Sequence, residues 1–339
     1  MQDSKFHTVV TIPKYKWLSG YGKKNMFIGS CFTENVGNRM AALKFDVDIN
    51  PFGILYNPVS VAQGLQMLLD EKEFTKADLI QHNDIWYSLN HHGRFSSHDK
   101  NEALQAINSR LKMSAKNLKE ADFLFITFGT AWIYNYIKTG QTVANCHKIS
   151  AKEFERTRLL IEEIVENFDN LLVKIKVVNP KVKVIFTVSP IRHWNDGAIE
   201  NQRSKSTLLL AIDNIIQNCG TDYCGYFPAY EIVMDELRDY RYFAEDMIHL
   251  TDVAVNHIWE KFSTNLIDRK SREISNRVGK FLLARLHRPQ QRRSTEYKKF
   301  IQSTLQQIDK FSEEFPYINL TLEKEYFMVE FDEIENKMK

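Results

Sequence analysis

Residues 25–44 read NMFIGSCFTENVGNRMAALK, and this stretch decides the fold. Asn25–Ile28 is a short buried-strand run that stops at Gly29, and Thr33–Lys44 continues with helical spacing. The same alternation recurs along the chain. Asp122–Phe128 (DFLFITF) is a second run, stopped by Gly129, and Lys183–Val188 (KVIFTV) is a third, ended by Ser189-Pro190. Tyr223–Phe227 reads as a fourth. Between them, Ser150 with Glu153 three residues on reads as a capping box that opens a long helix, which Val178-Asn179-Pro180 closes. Residues 203–218 and Thr251–Ile267 also carry helical patterns. Strands alternating with helices predict an α/β fold built on a doubly wound parallel sheet with helices on both faces.

The chain of 339 residues is long enough for about two domains, or for one α/β domain with an extension. A hydrophobic share of 43% and a charged share of 26% exclude the collagen-like, low-complexity and disordered classes. A net charge of +2 gives no signature of nucleic-acid binding, and no run approaches the ~20 apolar residues of a membrane span. Met1 to Lys14 lacks the apolar core of a signal peptide. Cys31, Cys146, Cys219 and Cys224 are too few and too scattered for a disulfide framework, so reduced thiols and a cytoplasmic location are expected. No period repeats. Asp84–Leu89 and Arg94–Ser97, joined by Asn90-His91-His92-Gly93, read as a hairpin inserted at about 82–98. From Lys270 to Lys310 there are 11 Lys or Arg against three acids, and from Ser312 onward eight acids against three lysines. Neighbours of opposite sign are expected to dock on each other or on the body rather than on a polyanion. The boundary falls near Arg269–Ser271, giving a body at 1–270 and a helical C-terminal extension at 271–339.

Ligands in open α/β sheets bind outside the carboxyl edge of the strands, so candidate chemistry is sought at strand ends. The first strand runs into Gly29-Ser30-Cys31, a tight turn at a helix N-terminus. Orphan N–H groups and the dipole there favour negative charge, and a thiol so placed is expected to ionise more easily than a free one. The bland reading makes Cys31 a small buried hydrophobe and Ser30 an N-cap. Asp246-Met247-Ile248-His249 precedes the last helix of the series, and its spacing lets a carboxylate hold its own histidine. Gly129-Thr130-Ala131-Trp132 and Ser189-Pro190-Ile191-Arg192-His193 follow the second and third strands, where glycine permits close approach and threonine or arginine can donate to an oxyanion. Singly, each reads first as strand-end punctuation. Asn50-Pro51-Phe52-Gly53 can bring a further backbone N–H. His82, His91, His92 and His98 fit no metal-ligand spacing and read as exposed imidazoles on the hairpin. No nucleotide-binding glycine loop is present, so neither metal nor cofactor is expected. Trp132 and Trp194, just behind strand ends, are expected to line a cleft.

Phe27-Ile28-Gly29-Ser30-Cys31-Phe32 resembles the name-giving motif of the GSCFA family, with Thr33 in place of its fifth letter. Asn50–Gly53, Phe128–Ala131, Ser189–His193 and Asp246–His249 look like its later motifs in order, spanning about residues 25–260, and His287-Arg288-Pro289 looks familiar from bacterial members. GSCFA proteins are in turn similar to SGNH (GDSL-like) hydrolases. That resemblance implies a flavodoxin-like three-layer sandwich and a Ser-His-Asp type of hydrolytic site. Aligned on the glycine, Cys31 takes the nucleophile's place and Ser30 the aspartate's. Asp246 and His249 match the catalytic pair. Gly53 matches the oxyanion-hole glycine approximately, with Gly129 and Thr130 as further candidates, while Ala131 stands in the place of the oxyanion asparagine and Trp132 in that of the aspartate after it. Thr130, Asn145 and Arg192 are the candidates to replace that donor, and Asn145, Arg192, His193 and Trp132 the candidates to bind substrate. The function implied is an esterase or acyltransferase acting on a small-molecule or carbohydrate ester, with neither nucleic acid nor membrane as partner. The alternatives are a glycan-binding module that keeps the cleft without turnover, and a polyanion or membrane-surface partner using the basic stretch 270–310.

Overall fold

The computed structural model describes residues 8–292 and 294–338. The reading of Met1 to Lys14 therefore falls partly on residues 1–7, outside the described residues. The chain divides into two compact units, one made of residues up to Arg39 with Asp46–Asp268 and the other of Met40–Phe45 with Arg269–Lys339.

In the first unit five strands form one parallel sheet: β1 (Lys24–Gly29), β2 (Asp46–Ile49), β5 (Phe123–Phe128), β9 (Lys183–Val188) and β10 (Cys224–Tyr226). Their spatial order is β10-β9-β5-β1-β2. Ranked by chain position this is the flavodoxin-like order, with the switch point between β1 and β5. Side chains alternate across the sheet, as the two-residue period of a strand requires. Met26, Ile28, Leu124, Ile126, Phe128, Val184, Phe186 and Val188 join one buried cluster with residues of α2 (Pro58–Leu69), α3 (Lys100–Glu120), α4 (Ile161–Val178) and α5 (Gly197–Cys219). On the opposite face Phe27 stacks on Phe125 at 4.4 Å, and Phe125 meets Phe262 of α7 (Asp252–Leu266) at 5.4 Å. Gly37 of α1 (Cys31–Ala42) lies against Ile49 on that same face, so close that a Cβ would come within 2.9 Å. Helices therefore cover both faces, and the sandwich has three layers.

Three segments depart from the sequence reading. Ser150 does not open a helix: Phe154–Arg158 is strand β8, which pairs with β6 (Trp132–Tyr136) beside β7 (Gln141–Val143), and α4 starts only at Ile161. The capping contact there is the Leu160 N–H on Glu163 at 2.7 Å, whereas the Ser150 hydroxyl closes a single turn onto the Lys152 N–H. The alternating FERTR pattern wins over the local cap because a partner strand is available. In the inserted segment, β4 (Ile85–Tyr87) pairs with β3 (Ile80–His82), and residues 94–97 form no strand but bridge to it at Trp86–Ser97. Its histidines are not all exposed. His91 is fully buried between the rings of Phe52, Phe74 and Phe95. Cys219 and Cys224, expected as reduced thiols, are disulfide-bonded, because the turn from α5 into β10 brings their Cα atoms to 6.5 Å.

The second unit contains α8 (Arg269–Leu286), α9 (Thr295–Glu314) and α10 (Thr321–Met338). Its basic and acidic stretches meet in ion pairs: Arg277–Glu314 at 2.9 Å, Lys298–Glu335 at 2.8 Å and Lys324–Asp309 at 2.6 Å. No helix among the described residues is long and apolar enough to cross a membrane.

Candidate active site

β1 ends where only glycine fits. Gly29 has φ +140, and a Cβ there would sit 2.1 Å from the Thr127 carbonyl oxygen of the neighbouring strand. That approach lets the chain turn at once into α1, with Cys31 as its first residue. The Asn50 side chain accepts the Gly29 N–H at 2.9 Å, and the Gly29 carbonyl accepts the Leu55 N–H at 2.9 Å, so the 50–55 loop is fastened under the turn.

A cleft of about 500 Å³ opens over the switch point. It brings together Ser30, Cys31, Thr130, Trp132, Asn145, Arg192, His193, Trp194 and His249. Asp246 stands one step outside, with its Oδ2 2.5 Å from Nδ1 of His249 and its Oδ1 accepting the N–H groups of Ile248 and His249 at 2.9 Å each. These contacts hold the Asp246 carboxyl down at about 2. With Nδ1 committed to Asp246, the nitrogen of His249 that can exchange a proton is Nε2.

Gly53 and Gly129 do not line the cleft, and their N–H groups are used inside the fold. Gly53 donates to the Asn50 carbonyl at 2.8 Å, and Gly129 and Thr130 both donate to the Tyr56 carbonyl, at 2.7 and 3.0 Å. The Thr130 hydroxyl lies 3.1 Å from that of Ser204 and accepts the Trp132 N–H at 3.2 Å. The backbone N–H groups of Gly53, Gly129 and Thr130 are thus taken up by the turns they belong to, while Thr130 itself lines the cleft. Two side-chain amides lie in the cleft wall instead. The Asn145 Oδ1 accepts the His147 N–H at 2.9 Å and the Asn57 Oδ1 accepts the Ser60 N–H at 2.8 Å, so in both the NH₂ end is the one left to donate. Asn57 caps α2, and the sequence analysis did not single it out.

The thiol of Cys31 is not the easily ionised group expected of a helix N-terminus. Burial pushes it up, against the pull of the Phe32 and Cys31 N–H groups and of Lys205. Ser30 is 1% exposed and its hydroxyl has no hydrogen-bond partner among the described residues. Lys205 of α5 is fully buried under the site, and its ammonium donates to the carbonyls of Gly129 and Ser189 at 2.7 Å each, tying β5 to β9. Burial brings it down to about 7. His193, its ring edge-on to Tyr56 at 5.4 Å, is pushed down to about 4 by burial and by Lys205, and so stands neutral at pH 7. Among the described residues no group of three or more His, Cys, Asp or Glu is placed to hold a metal ion.

The sequence pattern of the GSCFA family matches residues 24–262. This chain belongs to the GSCFA family. The pattern described as the C-terminal domain of GSCFA domain proteins matches residues 278–331, within the helical second unit. No curated protein matches this GSCFA chain. Among solved structures it is similar to an acetyl xylan esterase from the rumen bacterium Butyrivibrio proteoclasticus, at 12% identity and a TM-score of 0.34. That likeness covers 74% of the GSCFA chain and 66% of the esterase, under two thirds of its length, and is too slight to bear on activity.

Proposed function

We propose that the cleft is the active site of an esterase or acyltransferase working through a covalent acyl-enzyme on Cys31. The observation that carries this reading is that Cys31 and the Asp246-held His249 line one cleft at the switch point, although they come from opposite ends of the first unit. A thiol raised by burial stays protonated at neutral pH, so the base has to act in the attack step itself. His249 Nε2 takes the Cys31 proton as the sulfur adds to the ester carbonyl carbon. The new S–C bond forms, the carbonyl oxygen takes the negative charge, and the amide NH₂ groups of Asn145 and Asn57 with the Cys31 N–H stabilise it. When the intermediate collapses, the C–O bond breaks and the leaving alkoxide collects the proton from His249. Water or an acceptor hydroxyl, deprotonated by the same nitrogen, then attacks the thioester and releases the Cys31 thiol. Ser30 is the alternative nucleophile, but its hydroxyl is buried more deeply than the thiol.

A screen of p-nitrophenyl esters, thioesters and acetylated sugars tests the reading, with acyl-Cys31 sought by mass spectrometry after rapid acid quenching. Cys31→Ala, His249→Ala and the double variant should lose turnover about equally, because residues that act as a unit are non-additive. Turnover that survives loss of both Cys31 and Ser30 overturns the covalent mechanism. The aromatic walls Trp132 and Tyr134 favour a second reading, a glycan-binding module. That module would keep its ligand affinity in Cys31→Ala and lose it in Trp132→Ala.

A further inference from the structure

The first unit has nine arginines, and seven of them face a carboxylate within 4.0 Å. Of the other two, Arg39 stacks over Trp259 at 5.5 Å and bonds to Asn256. Arg192 is the exception that matters. Its one hydrogen-bond partner among the described residues is the Met234 sulfur at 3.2 Å, a weak acceptor for a guanidinium. Arg192 is half-buried and forms part of the wall between two clefts. The second, of about 510 Å³, is bounded by the segments 233–240 and 243–248 and shares Arg192, Trp194 and Ile248 with the first.

The carboxylates around these clefts are already engaged. Asp196 is held by Arg156, Asp246 by His249, and Asp239 by Arg241. Behind Arg192 lies a second cation, the buried ammonium of Lys205, which no carboxylate pairs with among the described residues. The two cations repel, which helps to hold Lys205 down. Arg192 lines both clefts with only a thioether for company, an arrangement that an incoming anion completes. The planar fork of an arginine suits a carboxylate in particular.

From this placement we infer that the substrate carries a free carboxylate and that Arg192, at the junction of the two clefts, binds it. The inference rests on the ester-cleaving reading for the word substrate, and its test separates the two. The shared chemistry is the anion, on the acyl or on the alcohol side of the ester. The acyl-side probe is p-nitrophenyl hemisuccinate set against p-nitrophenyl butyrate. The alcohol-side probe is acetylsalicylate against phenyl acetate. In one of these pairs kcat/KM should favour the anion by about tenfold or more, the scale of one charge-assisted contact. Arg192→Gln should erase that preference, read as the ratio of the two kcat/KM values in the same protein, and Arg192→Lys should restore part of it.

The binding arm does not depend on turnover. Trp132 and Trp194 line the cleft, so quenching of tryptophan fluorescence reports monomethyl succinate against neutral methyl butyrate for the acyl side and 2-acetoxypropanoate against neutral isopropyl acetate for the alcohol side, and the comparison is judged on both pairs. Tighter binding of the anion, weakened by added salt and lost in Arg192→Gln, supports the inference even if no ester is turned over. Equal affinity for anion and neutral probe, or a preference that survives in Arg192→Gln shown to be folded by circular dichroism, overturns it, whatever the esters do.

Discussion

Replacing Lys205 by methionine should change the pH dependence of stability more than stability itself. The ammonium is fully buried and stands at about 7 in the fold, against 10.5 in an unfolded chain. Below pH 7 both states hold the proton, and burying the charge costs about 5 kcal/mol at roughly 1.4 kcal/mol per pH unit of displacement. Between pH 7 and 10.5 the native state releases the proton while the unfolded state keeps it. Stability then rises with pH, because the unfolded state binds more protons. From pH 6 to pH 9 the relief is about 2–3 kcal/mol. Methionine keeps the length of the side chain and removes the titration. It also leaves the Gly129 and Ser189 carbonyls without their donor, at about 1–3 kcal/mol each, but that loss is the same at every pH. Wild type should therefore gain about 2–3 kcal/mol on Lys205→Met between pH 6 and pH 9. Cys31, Arg192, His193 and Tyr230 face the same ammonium and are present in both proteins, so most of their own titration cancels. Urea unfolding followed by tryptophan fluorescence reads the right part of the molecule, since Trp17, Trp86, Trp132, Trp194 and Trp259 all belong to the first unit. Parallel stability curves for the two proteins across this range would refute the reasoning.

Gly29→Ala places a Cβ 2.1 Å from a backbone oxygen at φ +140, so β1 must move off β5; a loss of about 3 kcal/mol or more is expected in the same urea assay, and an unchanged midpoint would contradict the close approach. Asp246→Asn should lower ester turnover less than Cys31→Ala, because His249 remains a base in a poorly held tautomer, and equal losses would point to a deeper role for the carboxylate. Asn145→Ala should cut kcat by about 10²–10³ with little change in KM, whereas a pure KM effect would remove the amide from the oxyanion role. Breaking Cys219–Cys224 with serines should cost about 2 kcal/mol, the value for so short a loop, and free thiol in the untreated protein at those two positions would show the bond does not form.

The sequence by itself determined the repeating unit of the fold. Near-continuous apolar runs at 25–28, 123–128 and 183–188, broken only by Asn25, Thr127, Lys183 and Thr187, leave a strand no solvent-facing side, and each run stops at a residue suited to a turn, so a parallel sheet with its chemistry at one edge follows from pattern alone. The pairing of Asp246 with His249 was legible for the same reason: it is local, three residues apart on one turn. What needed the tertiary structure was everything decided by partners distant in the chain. The segment 154–158 is a strand because β6 lies beside it, and its own residues carry a cap signal that points to a helix. Lys205 sits in a helical pattern where a lysine normally faces water, and only the closing of β5 and β9 over α5 buries it. His91 sits in a polar turn and is enclosed by three rings from three segments. The helix N-terminus pulls the Cys31 thiol down locally, but desolvation by the assembled cleft pushes it up by more, and desolvation is a property of packing that no spacing of residues encodes.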